Sequence, residues 1–410
     1  MNTLPVVDFE TSIEDFESNV RFYSRLFPTV FSTGKGCFLV DTDGEQYFDF
    51  FSGSGSLNYG HNEPEMKGAM IDYLMKDGII NSLDQATEAK QAFMRAFQDN
   101  VLEPRGMMYK MQFCGPTGTN SIEAAIKLAR KYTKREKIVY FQNSFHGMTY
   151  GSMSVSGMRS RATHPDYFKQ TVEIPFAQDD PNLVALDNLI SNSDPNEMPA
   201  AILLEIVQAE GGMNVAPTLW LQQLQEIAKQ HGILIIVDDI QAGCGRTGTF
   251  FSFEPSGLSP DIICLSKSLS GLGLPFAMNL LKDHLDCWNA GEHNGTFRGN
   301  NLAFITGAKA SEYWKTDEFQ NSVQEKARLI DGFFDYLNHQ SSYQLKGRGL
   351  MRGLFVGNAE RAEDLQVKLF ENNVLVDICG KNSDILKLMP PINISKKELL
   401  NGLEVIKTVV

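Results

Sequence analysis

Two short stretches place an acid and an amine where both could act on one carbonyl compound. The apolar run "GILIIV" is followed directly by Asp238 and Asp239. The stretch "ICLSK" ends a second apolar run at Lys267, 29 residues after Asp238 (267 − 238). In doubly wound sheets, ligands sit at the carboxyl ends of strands, so both residues fall where a site belongs. Two chemistries compete. One is a buried Asp–Lys ion pair, which costs roughly several kcal/mol unless both charges are well paired. The other is a Schiff base between a lysine amine and the aldehyde of pyridoxal phosphate. A carboxylate facing the pyridine nitrogen keeps it protonated, and the ring then accepts electrons from a substrate carbanion.

The glycines after the aspartates invite a different reading. Gly243, Gly245 and Gly248 spell G-x-G-x-x-G. A dinucleotide loop needs its first glycine directly after the strand and its last opening a helix. Here "DIQA" intervenes, and "TFFSFEPSGLSPD" after Gly248 is no helix. Asp261 lies at a suitable distance but precedes a strand, whereas the ribose-binding acid ends one. The glycines are expected to let the backbone turn tightly beneath a site.

The elements that position these groups follow from pattern. "NSIEAAIKLARKYT" (120–133) and "TLWLQQLQEIAKQHG" (218–232) read as amphipathic helices, the second ending at a C-cap glycine. "KIVYFQ" (137–142), "AAILLEIV" (200–207), "ILIIVDD" (233–239) and "DIICLSK" (261–267) read as buried strands. Continuous apolar strands alternating with helices predict a mostly parallel sheet covered on both faces. A helix is expected over 10–30, and a hairpin turning at 42–44 follows it. After about 310 comes a long helix and then short segments. The expected fold class is α/β. A large domain, 62–309, carries the site, and a smaller α+β domain is built from an N-terminal segment, 1–61, and the C-terminal residues 310–410.

Composition narrows the partners. The formal net charge of −13 argues against a nucleic-acid or anionic-membrane binder. No run of about 18 apolar residues marks a membrane span, and the acidic N-terminus is no signal peptide. Six scattered cysteines form no C-x-x-C, which predicts free thiols in the cytoplasm and no metal site.

The motifs together resemble the class III (fold-type I) aminotransferases, over nearly the whole chain. That family carries D-E-[VI]-Q-x-G-x-G-R-T-G, then P-D-[IV] and a lysine. This chain has "DDIQAGCGRTG" from Asp238 and "PDIICLSK" ending at Lys267, with Asp239 as the single departure. "GPTGTNSIEAAIKLAR", "NSFHGMT" and "GTFRGNN" match further family motifs. The resemblance implies that Lys267 forms the Schiff base, Asp238 faces the pyridine nitrogen and Gln241 reaches the 3-hydroxyl. Ile240 and Phe145 would pack on opposite ring faces. Thr117, Gly118 and Thr119, before a helix N-terminus, would bind the phosphate. A Thr-rich N-cap is the plain alternative there, and a structural histidine is the plain alternative for His146. Thr296 would reach the phosphate of a neighbouring subunit, which implies a homodimer or higher homo-oligomer.

Departures from the family bear on substrate. Met148 stands where 4-aminobutyrate- and ornithine-binding members have a carboxylate-binding arginine. Lys387 replaces the arginine of R-[LIV]-x-P-P, keeping the charge without the bidentate fork. Arg298 either replaces the lost clamp or is a surface or interface residue. Glu210, in "LLEIVQAEGG", matches the family's gating glutamate. The combination is most similar to diaminobutyrate-forming members of the ectoine pathway. It implies amino transfer from L-glutamate to L-aspartate 4-semialdehyde, giving L-2,4-diaminobutyrate and 2-oxoglutarate. Siderophore- or polyamine-linked diaminobutyrate aminotransferases and 4-aminobutyrate aminotransferases are the alternatives.

Overall fold

The computed structural model describes residues 13, 15–158, 170–340 and 343–410. Its centre is a seven-stranded sheet. In spatial order the strands are Lys110–Phe113, Met278–Leu281, Ile262–Leu265, Leu234–Asp238, Ala201–Leu204, Ile138–Phe141 and Thr171–Ile174. All pairings are parallel except those of Met278–Leu281, which runs against both neighbours. The sheet is therefore mostly parallel, as the strand–helix alternation predicts. Met278–Leu281 was not foreseen. Its run "AMNLL" is apolar but follows a Gly- and Pro-rich stretch that reads as loop.

Four central strands are buried at every residue, which is what helices on both faces require. Alternate side chains point to opposite faces. Ile138, Tyr140, Leu203, Ile236 and Ile262 pack with Ile122, Ala125, Leu128 and Ala129 of the helix Gly118–Thr133. Val139, Ile202, Val237 and Ile263 pack in the cluster that holds Trp220, Leu221, Leu224 and Ala228 of the helix Thr218–His231. That helix ends at Gly232, whose left-handed φ of +60° makes the expected C-cap.

Two smaller sheets flank the centre. The hairpin Phe38–Asp41/Gln46–Asp49 forms as expected, its turn held by Asp41 Oδ1 accepting the amides of Asp43 and Glu45. Gln46–Asp49 also pairs in parallel with Val374–Leu375, so the chain's two ends share a sheet. The other sheet has the order Gln344–Arg348, Met351–Phe355, Ile385–Leu388 and Asp377–Cys379. The long helix expected after 310 is Asp317–Gln340.

Two expectations are corrected. The strand foreseen over 200–207 stops at Leu204, and Val207–Gln208 turns away to pair with Asn214–Val215. The helix foreseen over 10–30 falls partly outside the described residues. Within them only Tyr23–Leu26 is a helical segment after Val20. Arg21 Nη1 donates to the carbonyls of Ile13 and Glu17, which closes off the preceding turn. Among the described residues no helix is long and apolar enough to cross a membrane.

The glycines of "GCGRTG" are packing and turn residues. A Cβ on Gly243 would lie 2.6 Å from the Asp239 carbonyl oxygen, and one on Gly245 would lie 2.1 Å from Trp314 Cζ2. Gly245 also has φ +89°, so both space and backbone exclude a side chain. Gly245→Ala is expected to destabilise the fold by roughly 2–4 kcal/mol, measured by denaturant midpoint. Gly257→Ala has φ +70° but open space, and should cost only about 1 kcal/mol.

Candidate active site

The pairing of two strands brings the predicted acid and amine together. Leu234–Asp238 runs parallel to Ile262–Leu265, with Asp238 opposite Cys264. Lys267 follows two residues after the second strand ends, in a tight turn over Lys267–Ser270. Its φ of +48° is a left-handed conformation that a lysine adopts only under constraint. Carboxyl ends of the neighbouring strands complete the rim. Glu205 follows Ala201–Leu204, and Phe145 and His146 follow Ile138–Phe141.

One cavity is lined by Gly118, Thr119, Phe145, His146, Glu210, Asp238, Ile240, Gln241 and Lys267 among the predicted residues. It encloses about 650 Å³ including its open mouth. Lys387 sits behind the wall, fully buried and ion-paired with Glu210. Thr117 caps the helix Gly118–Thr133 through a reciprocal bond with Asn120 and does not line the cavity itself. Thr296 and Arg298 are not among the residues that line this cavity. Arg298 Nη1 is 3.9 Å from Asp84 Oδ2.

Lys267 Nζ donates to the Ser54 carbonyl at 2.8 Å. Burial and the nearby Lys387 charge lower its pKa from 10.5 to about 8, against the opposing pull of Glu210, Asp238 and Glu205. A free amine is thus accessible near neutral pH, as a nucleophile or proton carrier requires. Asp238 is held on both oxygens. Oδ1 accepts the Ile240 amide at 3.1 Å, and Oδ2 lies 2.7 Å from His146 Nδ1. His146 Nε2 is buried with no partner among the described residues, so the ring's bond to Asp238 is its one anchor. Gln241 Nε2 donates to the Ser54 carbonyl and to Glu210 Oε1, 2.8 and 3.3 Å away. Burial raises the Glu210 pKa, but Lys387 and Lys267 outweigh it and bring it down to about 2.

Several further residues belong to the site. Glu205 sits in the quoted stretch "LLEIV", where its acid breaks an apolar strand. Its Oε2 accepts the Phe145 amide at 3.0 Å, and burial and the neighbouring Asp238 charge push its pKa well up. Ser54 lies in "SGSGS", where Ser52, Gly53 and Ser54 all have positive φ and turn the Ser54 carbonyl toward Lys267. Asp377 faces Lys387 from the next strand.

Asp239 now has a physical account. Its carboxylate is fully buried and accepts the Ser252 amide at 3.1 Å, while Arg348 ties the Ser252 carbonyl. The short side chain fits because Gly243 packs directly on it. Burial raises its pKa to about 7 against the Ser252 bonds that lower it. The folded state therefore holds a proton that the unfolded state has lost above about pH 4, and stability falls as pH rises through 7. Asp239→Asn should gain roughly 2 kcal/mol on the wild type between pH 5 and pH 8, read from denaturant midpoints at both pH values.

The cavity's parts fit a flat, phosphate-bearing aldehyde. Phe145 and Ile240 supply apolar walls, Asp238 an acid, Lys267 an amine, and the helix start at Gly118 a set of free amides. A Cβ on Gly118 would lie 3.0 Å from Ile240 Cδ1, so the glycine lets that wall pack closely on the helix N-terminus. The fold is that of the fold-type I aminotransferases. The chain belongs to the class-III aminotransferases, whose family model matches residues 22–410. Its cofactor is pyridoxal 5′-phosphate.

Relatives agree in length and fold. A diaminobutyrate–2-oxoglutarate transaminase of Halalkalibacterium halodurans is 47% identical over 96% of this chain and 94% of its own. That of Vibrio parahaemolyticus is 46% identical over 96% of both. An uncharacterized aminotransferase of Sinorhizobium fredii is 47% identical over 96% of this chain and 90% of its own. Among solved structures, the ornithine aminotransferase of Toxoplasma gondii superposes with TM-score 0.83 at 26% identity, over 98% of this chain and 94% of that one.

Proposed function

We propose that this chain moves an amino group from L-glutamate to L-aspartate 4-semialdehyde, giving 2-oxoglutarate and L-2,4-diaminobutyrate, as in ectoine synthesis. The observation that carries the reading is the Glu210–Lys387 ion pair on the cavity that holds Lys267. Glutamate has a carboxylate on the carbon that reacts. In the semialdehyde the carboxylate lies two carbons farther away. One pocket must therefore present a cation in one half of the cycle and hide it in the other. Lys387 is that cation and Glu210 is its cover. The diaminobutyrate transaminases that match nearly the whole chain support the substrate pair. Met148, where other members carry a carboxylate-binding arginine, speaks against a 4-aminobutyrate substrate.

In this reading Asp238, steadied by His146, faces the ring nitrogen, and Gln241 faces the ring hydroxyl. Phe145 and Ile240 enclose the ring. Thr117, Gly118 and Thr119 form the phosphate end. When bound, the cofactor supplies an electron sink for the charge left on the reacting carbon. Lys267, its amine poised near pKa 8, takes the proton from that carbon and returns it. Thr296 and Arg298 serve the site of a neighbouring copy, Thr296 at the phosphate and Arg298 at a substrate carboxylate. Ile79, Ile80, Leu83 and Phe297 are exposed apolar side chains on the segments around Arg298, which supports a homodimer at least. The chain divides into a cofactor-binding part, 62–309, and a smaller part made of 1–61 and 310–410. The sheet shared by Gln46–Asp49 and Val374–Leu375 supports that division. The free thiols support a cytoplasmic setting.

With glutamate as donor, aspartate 4-semialdehyde should be the best of a panel of aldehyde acceptors. Turnover with succinate semialdehyde and none with aspartate 4-semialdehyde would reverse the assignment. Lys267→Ala should lower turnover roughly 10³-fold or more. Borohydride reduction followed by mass spectrometry should fix the cofactor on the Lys267 peptide of the wild type, and nowhere on the variant.

A further inference from the structure

We infer that Asp377 is a specificity-determining positioning residue, which anchors Lys387 and sets the charge that a substrate carboxylate meets there. The inference rests on the reading of Lys387 and Glu210 just given. Asp377 and Lys387 are directly opposed across the antiparallel strands Asp377–Cys379 and Ile385–Leu388. Such pairs sit close enough to interact through their side chains. Asp377 Oδ2 lies 3.8 Å from Lys387 Nζ. On the other side Lys387 is opposed by Gly353, which offers no side chain. Lys387 is thus flanked by two acids with different freedom. Glu210 lines the cavity, whereas Asp377 is buried behind it, with its Oδ1 accepting the Ile378 amide at 2.9 Å.

The different freedom of the two acids has a chemical consequence. When a substrate carboxylate displaces Glu210, Lys387 still has a counter-charge. Without one, a buried ammonium is costly and would follow Glu210 or lose its proton. Asp377 is held on its own strand and stays. The incoming carboxylate therefore meets a cation already half neutralised. It binds less tightly than it would to a bare lysine, and the product 2-oxoglutarate leaves more readily. Asp377 also keeps the cluster at one base to two acids while Glu210 covers Lys387. That balance disfavours an anion and tolerates the ammonium group of diaminobutyrate.

The test measures, by calorimetry, equilibrium binding of 2-oxoglutarate to the enzyme loaded with the aldehyde form of the cofactor, toward which the keto acid is unreactive, with no aldehyde substrate present. Asp377→Asn should tighten binding about tenfold, because one like charge near the carboxylate is gone. The maximal rate of the glutamate half-reaction should fall, because Lys387 has lost its fixed partner. Asp377→Glu, which keeps the charge, should bring the affinity back toward the wild type. Unchanged or weaker binding by folded Asp377→Asn overturns the proposal. If the asparagine variant does not fold, Asp377→Thr, neutral and suited to a strand, is read by the same criterion. Lys387→Met should weaken the same binding. If it does not, the reading of Lys387 fails, and Asp377 falls with it. An unsuitable aldehyde acceptor would leave this test untouched.

Discussion

The parallel pairing of Leu234–Asp238 with Ile262–Leu265 is the constraint on which the site depends. Hydrogen bonds between those two strands fix Asp238 against Cys264, and the chain then needs only two more residues to bring Lys267 alongside. Neither residue could be moved one place along its strand. A slip of one would turn every side chain to the opposite face. Asp238 would leave the cavity, and Val237 and Ile263 would leave the core they share. The apolar packing that stabilises the sheet therefore also sets the distance between acid and amine. Core and chemistry are specified by the same register.

Charge is the second thing the sheet organises. Lys267 and Lys387 share the site with Glu205, Glu210, Asp238 and Asp377, all of them removed from bulk water to some degree. In such surroundings each charge is tuned chiefly by its neighbours. Burial and Lys387 lower the Lys267 pKa, whereas Lys387, flanked by two acids, stays charged. Two lysines, one just past an apolar strand and one within another, thus differ in charge near neutrality. Lys267 reaches its free-amine form near neutrality, whereas Lys387 stays a cation between its two acids.

Much of this was legible in the sequence, for definite reasons. Buried parallel strands are continuous apolar runs, so strands read over 137–142, 200–207, 233–239 and 261–267 each contain one of the sheet's strands, with Asp238 and Lys267 at or just past their ends. The start of the helix Gly118–Thr133 was legible too, because a threonine-rich stretch precedes its amphipathic run, and Thr117 does cap it. Residues that act through tertiary contact were not legible. Ser54 contributes a backbone carbonyl, which any residue type has. Asp377 depends on a strand register more than three hundred residues from Ser54. Glu205 falls inside the apolar run read as a strand over 200–207, and only the strand's end at Leu204 brings it to the rim of the site. The antiparallel Met278–Leu281 was hidden because its flanking glycines and proline mimic a loop. Arg246, in the stretch where glycine spacing drew attention, is fully buried and bonds the Asn58 side chain and the carbonyls of Leu350 and Pro390.

That arginine, together with the bond from Ser52 Oγ to the Met389 carbonyl, ties residues 52–58 to the last twenty or so of the chain. The consequence concerns the order in which the enzyme comes into being. During synthesis, Asp238 and Lys267 emerge and can pair well before Lys387 exists. The loop that offers Ser54 to Lys267 is made first of all, yet has nothing to lean on until the C-terminal strands arrive. A ribosome-bound chain at that stage carries every residue that lines the cavity, from Gly118 to Lys267, without the cation behind its wall or the anchors of the Ser54 loop. Contacts of such long sequence separation close late in folding. Lys387 and the support of the Ser54 loop are therefore the last parts of the site to be put in place.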